Sequence, residues 1–195
     1  MIISHSNKFV YIRSQKTGST SIQNFLLQYC NETDFLYISR KQNEYKKYNV
    51  KIILTDHLGD HASLDYVLDK FPEVKDYKFI TSVRHPFDVE LSRFKYRNGH
   101  SNFSTGLKAQ LEEPRFNQLK YIFDSDGNCK IDYFIKLENF DQDLEEICKI
   151  FNWKYTPLDK IHNQSHNKKI QIFENDKKLV FDFYKKIYEL LKYKM

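Results

Sequence analysis

Residues 8–30 read KFVYIRSQKTGSTSIQNFLLQYC and predict a strand, a loop and a helix in direct succession. The apolar run Phe9–Ile12 is typical of a short buried strand, and apolar residues recur at helical spacing after Ser21. The loop between them, residues 14–20, holds one lysine, one glycine and four hydroxyl residues. Because the first turn of a helix has unpaired N–H groups and a positive dipole end, we expect this loop to bind an anion.

The same order of a strand followed by a helix recurs along the chain. Strands are predicted at residues 8–13, 50–55 and 77–83, and the helices that follow them at 19–30, 61–71 and 86–97. Further along, Asp126-Gly127 is a tight-turn signal between 121–123 and 133–137, and helices are predicted at 140–151 and 176–193. The alternation predicts an α/β fold, a single domain over residues 1–195 with a mostly parallel central sheet flanked by helices.

Composition narrows the class of protein further. A net charge of +5 favours an anionic ligand, but the lysines are spread along the chain and form no stripe of the kind that binds nucleic acid. The three cysteines are scattered without metal-binding spacing, which is typical of reduced thiols in a cytoplasmic protein. No segment has the length and hydrophobicity of a membrane span. From the charge, the cysteines and this absence together, we expect a cytoplasmic protein without a metal or a nucleic-acid partner.

A second candidate binding segment follows the predicted strand 77–83. Arg84 comes directly after that strand, Pro86 suits a first helical turn, and Ser92 lies two turns into the helix. Parallel strands bring their carboxyl ends to one edge of a sheet, so we expect Arg84 near Lys16. Arginine offers a planar fork of donors that matches a phosphate group.

Together the two segments resemble the PAPS-dependent sulfotransferases, with the closest likeness to the carbohydrate-type branch and its small bacterial and viral relatives. PAPS is 3′-phosphoadenosine 5′-phosphosulfate, and the resemblance implies a P-loop-like sulfotransferase fold. It also implies that Arg84 and Ser92 hold the 3′-phosphate. The residues implied to hold the 5′-phosphosulfate are Gln15, Lys16, Thr17, Gly18, Ser19, Thr20 and Ser21.

The likeness continues more weakly toward the end of the chain. Residues 132–139 resemble the family's strand that ends in Glu-Asn, and residues 163–169 resemble its late polar loop near the nucleotide. In that loop Lys168 reaches the 3′-phosphate or belongs to a solvated charge pair. The family often places His-x-Pro or Ile-Pro before the lysine, whereas this chain has Arg13-Ser14-Gln15.

Sulfuryl transfer needs a cation at the leaving oxygen and a base for the acceptor hydroxyl. Lys16 is the candidate for the leaving oxygen, and no metal is required. Two histidines follow the predicted strand 50–55, and the resemblance favours His61 over His57 as the base, with Asp60 or Asp56 orienting the ring.

Three functions remain open at this level. The first is sulfuryl transfer from PAPS to a hydroxyl acceptor, on a carbohydrate or small glycoconjugate. The second is a kinase-like nucleotide enzyme, which is disfavoured because the lysine precedes the only glycine of the loop, unlike GxxxxGK[ST]. The third is a non-catalytic module that binds PAP, the desulfated nucleotide, or another anion. The oligomeric state is not predicted.

Overall fold

The protein was analysed as a computed structural model, which describes residues 1–97, 102–113, 117–158 and 170–195, and only the backbone at residues 57 and 58. In this part of the chain the strands are β1 Ile2–Ser4, β2 Phe9–Ile12, β3 Phe35–Ile38, β4 Lys51–Leu54, β5 Lys78–Val83 and β6 Tyr133–Lys136. The helices are α1 Ser19–Leu26, α2 Gln42–Tyr45, α3 His57–Asp60, α4 Leu64–Lys70, α5 Pro86–Tyr96, α6 Phe103–Leu111, α7 Leu119–Ile122, α8 Phe140–Ile150, α9 Glu174–Phe183 and α10 Lys185–Leu191.

These strands form one sheet in the order β4-β3-β1-β2-β5-β6. The pairs β2–β5, β5–β6 and β3–β4 are parallel, and β1 is antiparallel to both of its neighbours. Five strands therefore run in one direction, and the carboxyl ends of β2 and β5 lie side by side. The predicted α/β fold with a mostly parallel sheet is confirmed.

Helices cover both faces of the sheet, because its central strand is apolar on both sides. Phe9 and Tyr11 of β2 pack with α1 and α8, whereas Val10 and Ile12 pack with helices that include α4, α5, α6 and α9. All four side chains are buried. This continuous apolar run is characteristic of parallel strands that are buried on both faces.

The predicted strands and the predicted tight turn are found in the structure. The predicted strands 8–13, 50–55 and 77–83 contain β2, β4 and β5. The segment before the turn forms α7 over residues 119–122, and the segment after it contains β6, which pairs in parallel with β5. The turn itself is present, since Gly127 has a φ of 82° and donates to the Asp124 carbonyl at 2.9 Å.

Two helices also differ from their predicted limits. The helix predicted at 61–71 begins at Leu64, because the Ser63 hydroxyl accepts a hydrogen bond from the Tyr66 N–H and caps the first turn. The closing helix predicted at 176–193 is divided at Tyr184 into α9 and α10. No helix in the described part of the chain is long and apolar enough to cross a bilayer.

A buried charged network fixes α5 against α6 and α9. Arg93 donates to both carboxylate oxygens of Glu90 at 2.7 and 2.8 Å and to the Gln110 carbonyl at 2.9 Å. The Tyr184 hydroxyl donates to the same carboxylate at 2.8 Å. The Glu90 side chain is fully buried, so its charge depends on these donors.

Removing Arg93 should therefore destabilise the protein far more than removing a surface cation. We expect Arg93→Met to lower the free energy of unfolding by about 3–5 kcal/mol, because Glu90 would keep a buried charge without its main partner. Lys178→Met is the control, because Lys178 pairs with Asp182 at the surface, and it should cost about 0.5 kcal/mol or less. Urea unfolding measures both, and equal losses would contradict the assignment.

Candidate active site

The first loop, residues 13–18, joins β2 to α1 and has a backbone shape that only certain residues accept. Lys16 and Gly18 have positive φ angles of 60° and 73°. The φ angle of Gly18 favours glycine, and a Cβ atom there would lie 2.7 Å from the Leu137 Cδ1, so that side chain would have to shift. Gly18 is the N-cap of α1, and no side chain from the described residues caps this helix. Its first N–H groups are therefore directed at the edge of the sheet.

The hydroxyl groups of Thr17 in the loop and Thr20 in the first turn of α1 hold the loop in place. Thr17 Oγ1 donates to the Ser14 carbonyl at 3.1 Å and lies 2.7 Å from Ser82 Oγ on β5. Tyr11 OH lies 3.0 Å from the same Ser82 hydroxyl. Thr20 Oγ1 accepts from Arg13 Nη2 at 2.9 Å. These side chains shape the loop, so an anion would meet mainly its backbone N–H groups.

The remaining predicted residues of this segment are in place but largely enclosed. Gln15, Ser19 and Ser21 are buried, with 8%, 6% and 0% of their surface exposed. Ser19 and Ser21 lie in the first turn of α1. The segment 15–21 therefore spans the end of the first loop and the first turn of α1, and its role in binding an anion stays a prediction.

Lys16 and Arg84 come together at the carboxyl edge of the sheet. Burial lowers the pKa of Lys16, and the positive charge of Arg84 lowers this pKa further. The Lys16 ammonium lies 4.3 Å from the centre of the Tyr96 ring. Within residues 1–97, 102–113, 117–158 and 170–195, neither cation forms an ion pair with a carboxylate. Two cations close to each other without acidic partners make this edge attractive to an anion.

The second loop, Arg84–His85, is held by groups from the end of the sheet and the end of the chain. Glu138 accepts from the His85 N–H at 2.6 Å and from the Tyr193 hydroxyl at 3.0 Å. His85 Nε2 lies 2.8 Å from the Lys194 carbonyl, so this nitrogen donates. Glu138 therefore anchors the loop that presents Arg84. Ser92, the other predicted contact, is 7% exposed on α5.

His61 lies at the same edge because its ring contacts the end of β2. Its Nδ1 is 2.8 Å from the Arg13 carbonyl oxygen, so Nδ1 carries the proton and Nε2 is the basic nitrogen. Arg13 also donates through Nη1 to Asp60 Oδ1 at 2.7 Å. Burial, followed by the charge of Arg13, lowers the pKa of His61 well below 6.5. The ring is therefore neutral at pH 7.

The Asp60 carboxyl stays ionised because of the charged and polar groups that contact it. Burial alone would raise the pKa of its carboxyl, but the attraction of Arg13, the smaller contributions of neighbouring cationic groups and the Ser39 hydrogen bond together outweigh burial and hold that pKa below 3.8. Ser39 donates to the second carboxylate oxygen at 3.0 Å. Asp60 therefore orients Arg13, and Arg13 in turn orients His61 through its carbonyl group.

Two predicted site residues cannot be placed. Lys168 lies outside the described residues, and the side chain of His57 does too, although its backbone begins α3. Sequence analysis did not single out Tyr96, which the structure places beside Lys16. Tyr96 lies four residues after Ser92, which places both residues on one side of α5. This spacing is the sequence signal that could have identified Tyr96 as a site residue.

The described residues contain no group of three or more His, Cys, Asp or Glu side chains arranged to hold a metal ion. A cavity of about 320 Å³ lies elsewhere, between β6, α8 and α10, and none of the predicted site residues lines it. The candidate site is therefore the open carboxyl edge around Lys16, Arg84 and His61.

Comparison with known proteins identifies the family of this chain. An α/β sheet with an anion-binding helix N-terminus after one strand and an arginine after its parallel neighbour defines a class of phosphate- or sulfate-binding proteins. The profile described as the sulfotransferase family matches residues 1–122, which include both loops, His61 and Ser92. The chain therefore belongs to the sulfotransferase family. Neither the curated proteins nor the solved structures gave a significant match.

The lowered pKa of His61 predicts how stability depends on pH. The unfolded chain binds a proton at this residue below about pH 6.5 while the folded chain does not, so stability is lost as the pH falls from 6.5 toward 4. The pKa of Asp60 is lowered below 3.8, so the stability that this group contributes is lost only when the pH falls below 3.8. We expect His61→Asn to flatten this window by up to about 1.4 kcal/mol per pH unit. Urea unfolding between pH 4.5 and 7.5 measures the slope, and identical slopes in both proteins would contradict the assignment.

Proposed function

We propose that this protein transfers the sulfuryl group of PAPS to a hydroxyl group of an acceptor, a carbohydrate or a small glycoconjugate. The observation that carries the proposal is the placement of Lys16 and Arg84 after the neighbouring parallel strands β2 and β5, without acidic partners among the described residues and beside the N-terminus of α1. Membership of the sulfotransferase family supports sulfuryl transfer in general. The nucleotide and the acceptor class are the proposed refinements.

The donor groups at this edge fit the chemistry of PAPS. The nucleotide carries anionic groups at two ends, the 5′-phosphosulfate and the 3′-phosphate. The first loop offers backbone N–H groups and the Lys16 ammonium, and Gly18 lets an anion approach the backbone. Arg84 and Ser92 offer a guanidinium fork and a hydroxyl on the neighbouring strand and helix. The two sets of donors would each hold one end.

Bound PAPS would supply the sulfuryl group and a leaving nucleotide. Lys16, beside the N-terminus of α1, would balance the negative charge that develops on the leaving side. The neutral ring of His61 would take the proton of the acceptor hydroxyl at Nε2, because Nδ1 is committed to the Arg13 carbonyl. Asp60 would hold the Arg13 side chain, and the Arg13 backbone carbonyl would keep this tautomer in place.

Binding of the product nucleotide PAP tests the first part of the proposal. We expect Arg84→Ala to weaken PAP binding by about 10- to 100-fold, because charge-assisted hydrogen bonds to a phosphate would be lost. Lys149→Ala is the control, because Lys149 pairs with Glu145 on the exposed surface of α8. Isothermal titration calorimetry measures both. A wild-type protein that does not bind PAP, or an Arg84 variant that binds as well as the control, would refute the proposed site.

Turnover tests the catalytic roles. With PAPS labelled in the sulfate group and a panel of hydroxyl acceptors, Lys16→Ala should lower kcat by about 10²–10³-fold. His61→Ala should lower kcat by about 10²–10⁴-fold, the contribution of a positioned base. His57→Ala is the matched comparison, and loss of turnover there with normal turnover in His61→Ala would reverse the assignment of the base. Tight PAP binding without transfer to any acceptor would identify a binding module, and magnesium-dependent ATP turnover would identify a kinase-like enzyme.

A further inference from the structure

The Lys16 ammonium is held against an aromatic ring that comes from the second binding segment. Tyr96 is the last residue of α5, and the centre of its ring lies 4.3 Å from Lys16 Nζ. This distance is well within the range of about 6 Å over which a cation is attracted to a ring face. Tyr96 is 68% exposed, so the ring contributes little to the core.

The surroundings of Lys16 explain why such a contact matters. Partial burial and the nearby charge of Arg84 both disfavour an ammonium group at this position. Among residues 1–97, 102–113, 117–158 and 170–195, no carboxylate forms an ion pair with Lys16. An acidic partner would hold the ammonium but would also cancel the charge that an incoming anion needs. A ring attracts the cation through its quadrupole and leaves the net charge unchanged.

We propose that Tyr96 is a positioning residue for Lys16, holding its ammonium group at the mouth of the anion site by a cation–π contact. This inference rests on the proposed function, since it assigns Tyr96 a role through Lys16. The proposal also gives the helix α5 a second role. The helix that carries Ser92 for one end of the nucleotide sets the position of the lysine that serves the other end.

The position of Tyr96 on its helix makes the proposal testable without damage to the fold. The buried side of α5 is fixed by the pair Glu90 and Arg93, which does not involve Tyr96. No hydrogen bond of the Tyr96 hydroxyl is found within the described residues, so the ring face rather than the hydroxyl makes the contact. Tyr96→Phe therefore keeps the proposed interaction, and Tyr96→Leu removes it with little change in size or apolar character.

A spectroscopic readout tests the contact directly, in the protein without nucleotide. The Lys16 Hε signals, observed by NMR with labelled lysine and assigned by comparison with Lys16→Ala, should show an upfield ring-current shift in wild-type protein and Tyr96→Phe. Tyr96→Leu should abolish this shift. A Lys16 shift that is the same in Tyr96→Leu and wild type would overturn the proposal, whether or not the protein binds PAP.

Affinity and kinetics test the consequence. Tyr96→Leu should weaken PAP binding and lower kcat by about 3- to 30-fold each, the range for a cation–π contact between exposed and desolvated settings. Tyr96→Phe should stay within about two-fold of wild type. Tyr48→Leu is the matched control, since Lys47 lies 5.1 Å from the Tyr48 ring outside the proposed site, and it should change neither quantity.

Two further comparisons separate this role from the alternatives. In a Lys16→Ala background, Tyr96→Leu should have no additional effect on PAP affinity or kcat, because the two residues act as one unit. If Tyr96→Leu raises only the KM of the acceptor, the ring binds the acceptor and the proposal is wrong. If it lowers the urea midpoint and affinity together in both backgrounds, the role is structural and the proposal is also wrong. Failure of wild-type protein to bind PAP would refute the proposed function instead, and the NMR shift would still decide the contact.

Discussion

Two like charges held close together are the constraint on which this site depends. The parallel pairing of β2 with β5 brings the loops that follow them to one edge, and those loops carry Lys16 and Arg84. Their repulsion is a cost that the folded protein bears, since no carboxylate from the described residues pairs with either one. The cost must be offset by interactions in the sheet and loops, and a bound anion would remove much of it. A site of this kind is selective for a ligand with enough negative charge to serve both cations.

The offsetting interactions come from polar groups that contact the loops, buried beneath the first loop and exposed beside the second. Thr17 and Tyr11 share the Ser82 hydroxyl, which ties the first loop to β5, and Glu138 ties the second loop to the end of the chain through His85 and Tyr193. Each of these contacts joins segments that are far apart in the sequence. The hydrogen bonds around Ser82 are buried, and buried hydrogen-bond networks favour a rigid loop. The loops are therefore shaped before a ligand arrives, which reduces the ordering cost of binding.

The sequence predicts the strands and loops of this protein better than it predicts which side chains contact each other. β2 and β5 are recognisable because their apolar runs are bounded by charged or turn residues, and Gly18 and Lys16 mark the loop by residue type alone. β1 was missed because three residues carry no periodic pattern. The contact between Arg13 and Asp60 spans 47 residues, and the contact of Lys16 with Tyr96 joins two separate motifs. No local pattern encodes such pairs, since the sheet topology brings them together.

The environment of His61 suggests how the catalytic effort would be divided. Burial and Arg13 lower the pKa of this ring, which keeps it neutral at pH 7 but makes it a weak base. A weak base suffices if bond formation to the acceptor is slight in the transition state, as in loose phosphoryl-type transfers, because the acceptor proton then becomes acidic only late. In such a transition state the larger charge develops on the leaving side, where Lys16 and the N-terminus of α1 lie. The Arg13 carbonyl would then serve His61 mainly by fixing its orientation, and the strongest electrostatic demand would fall on Lys16.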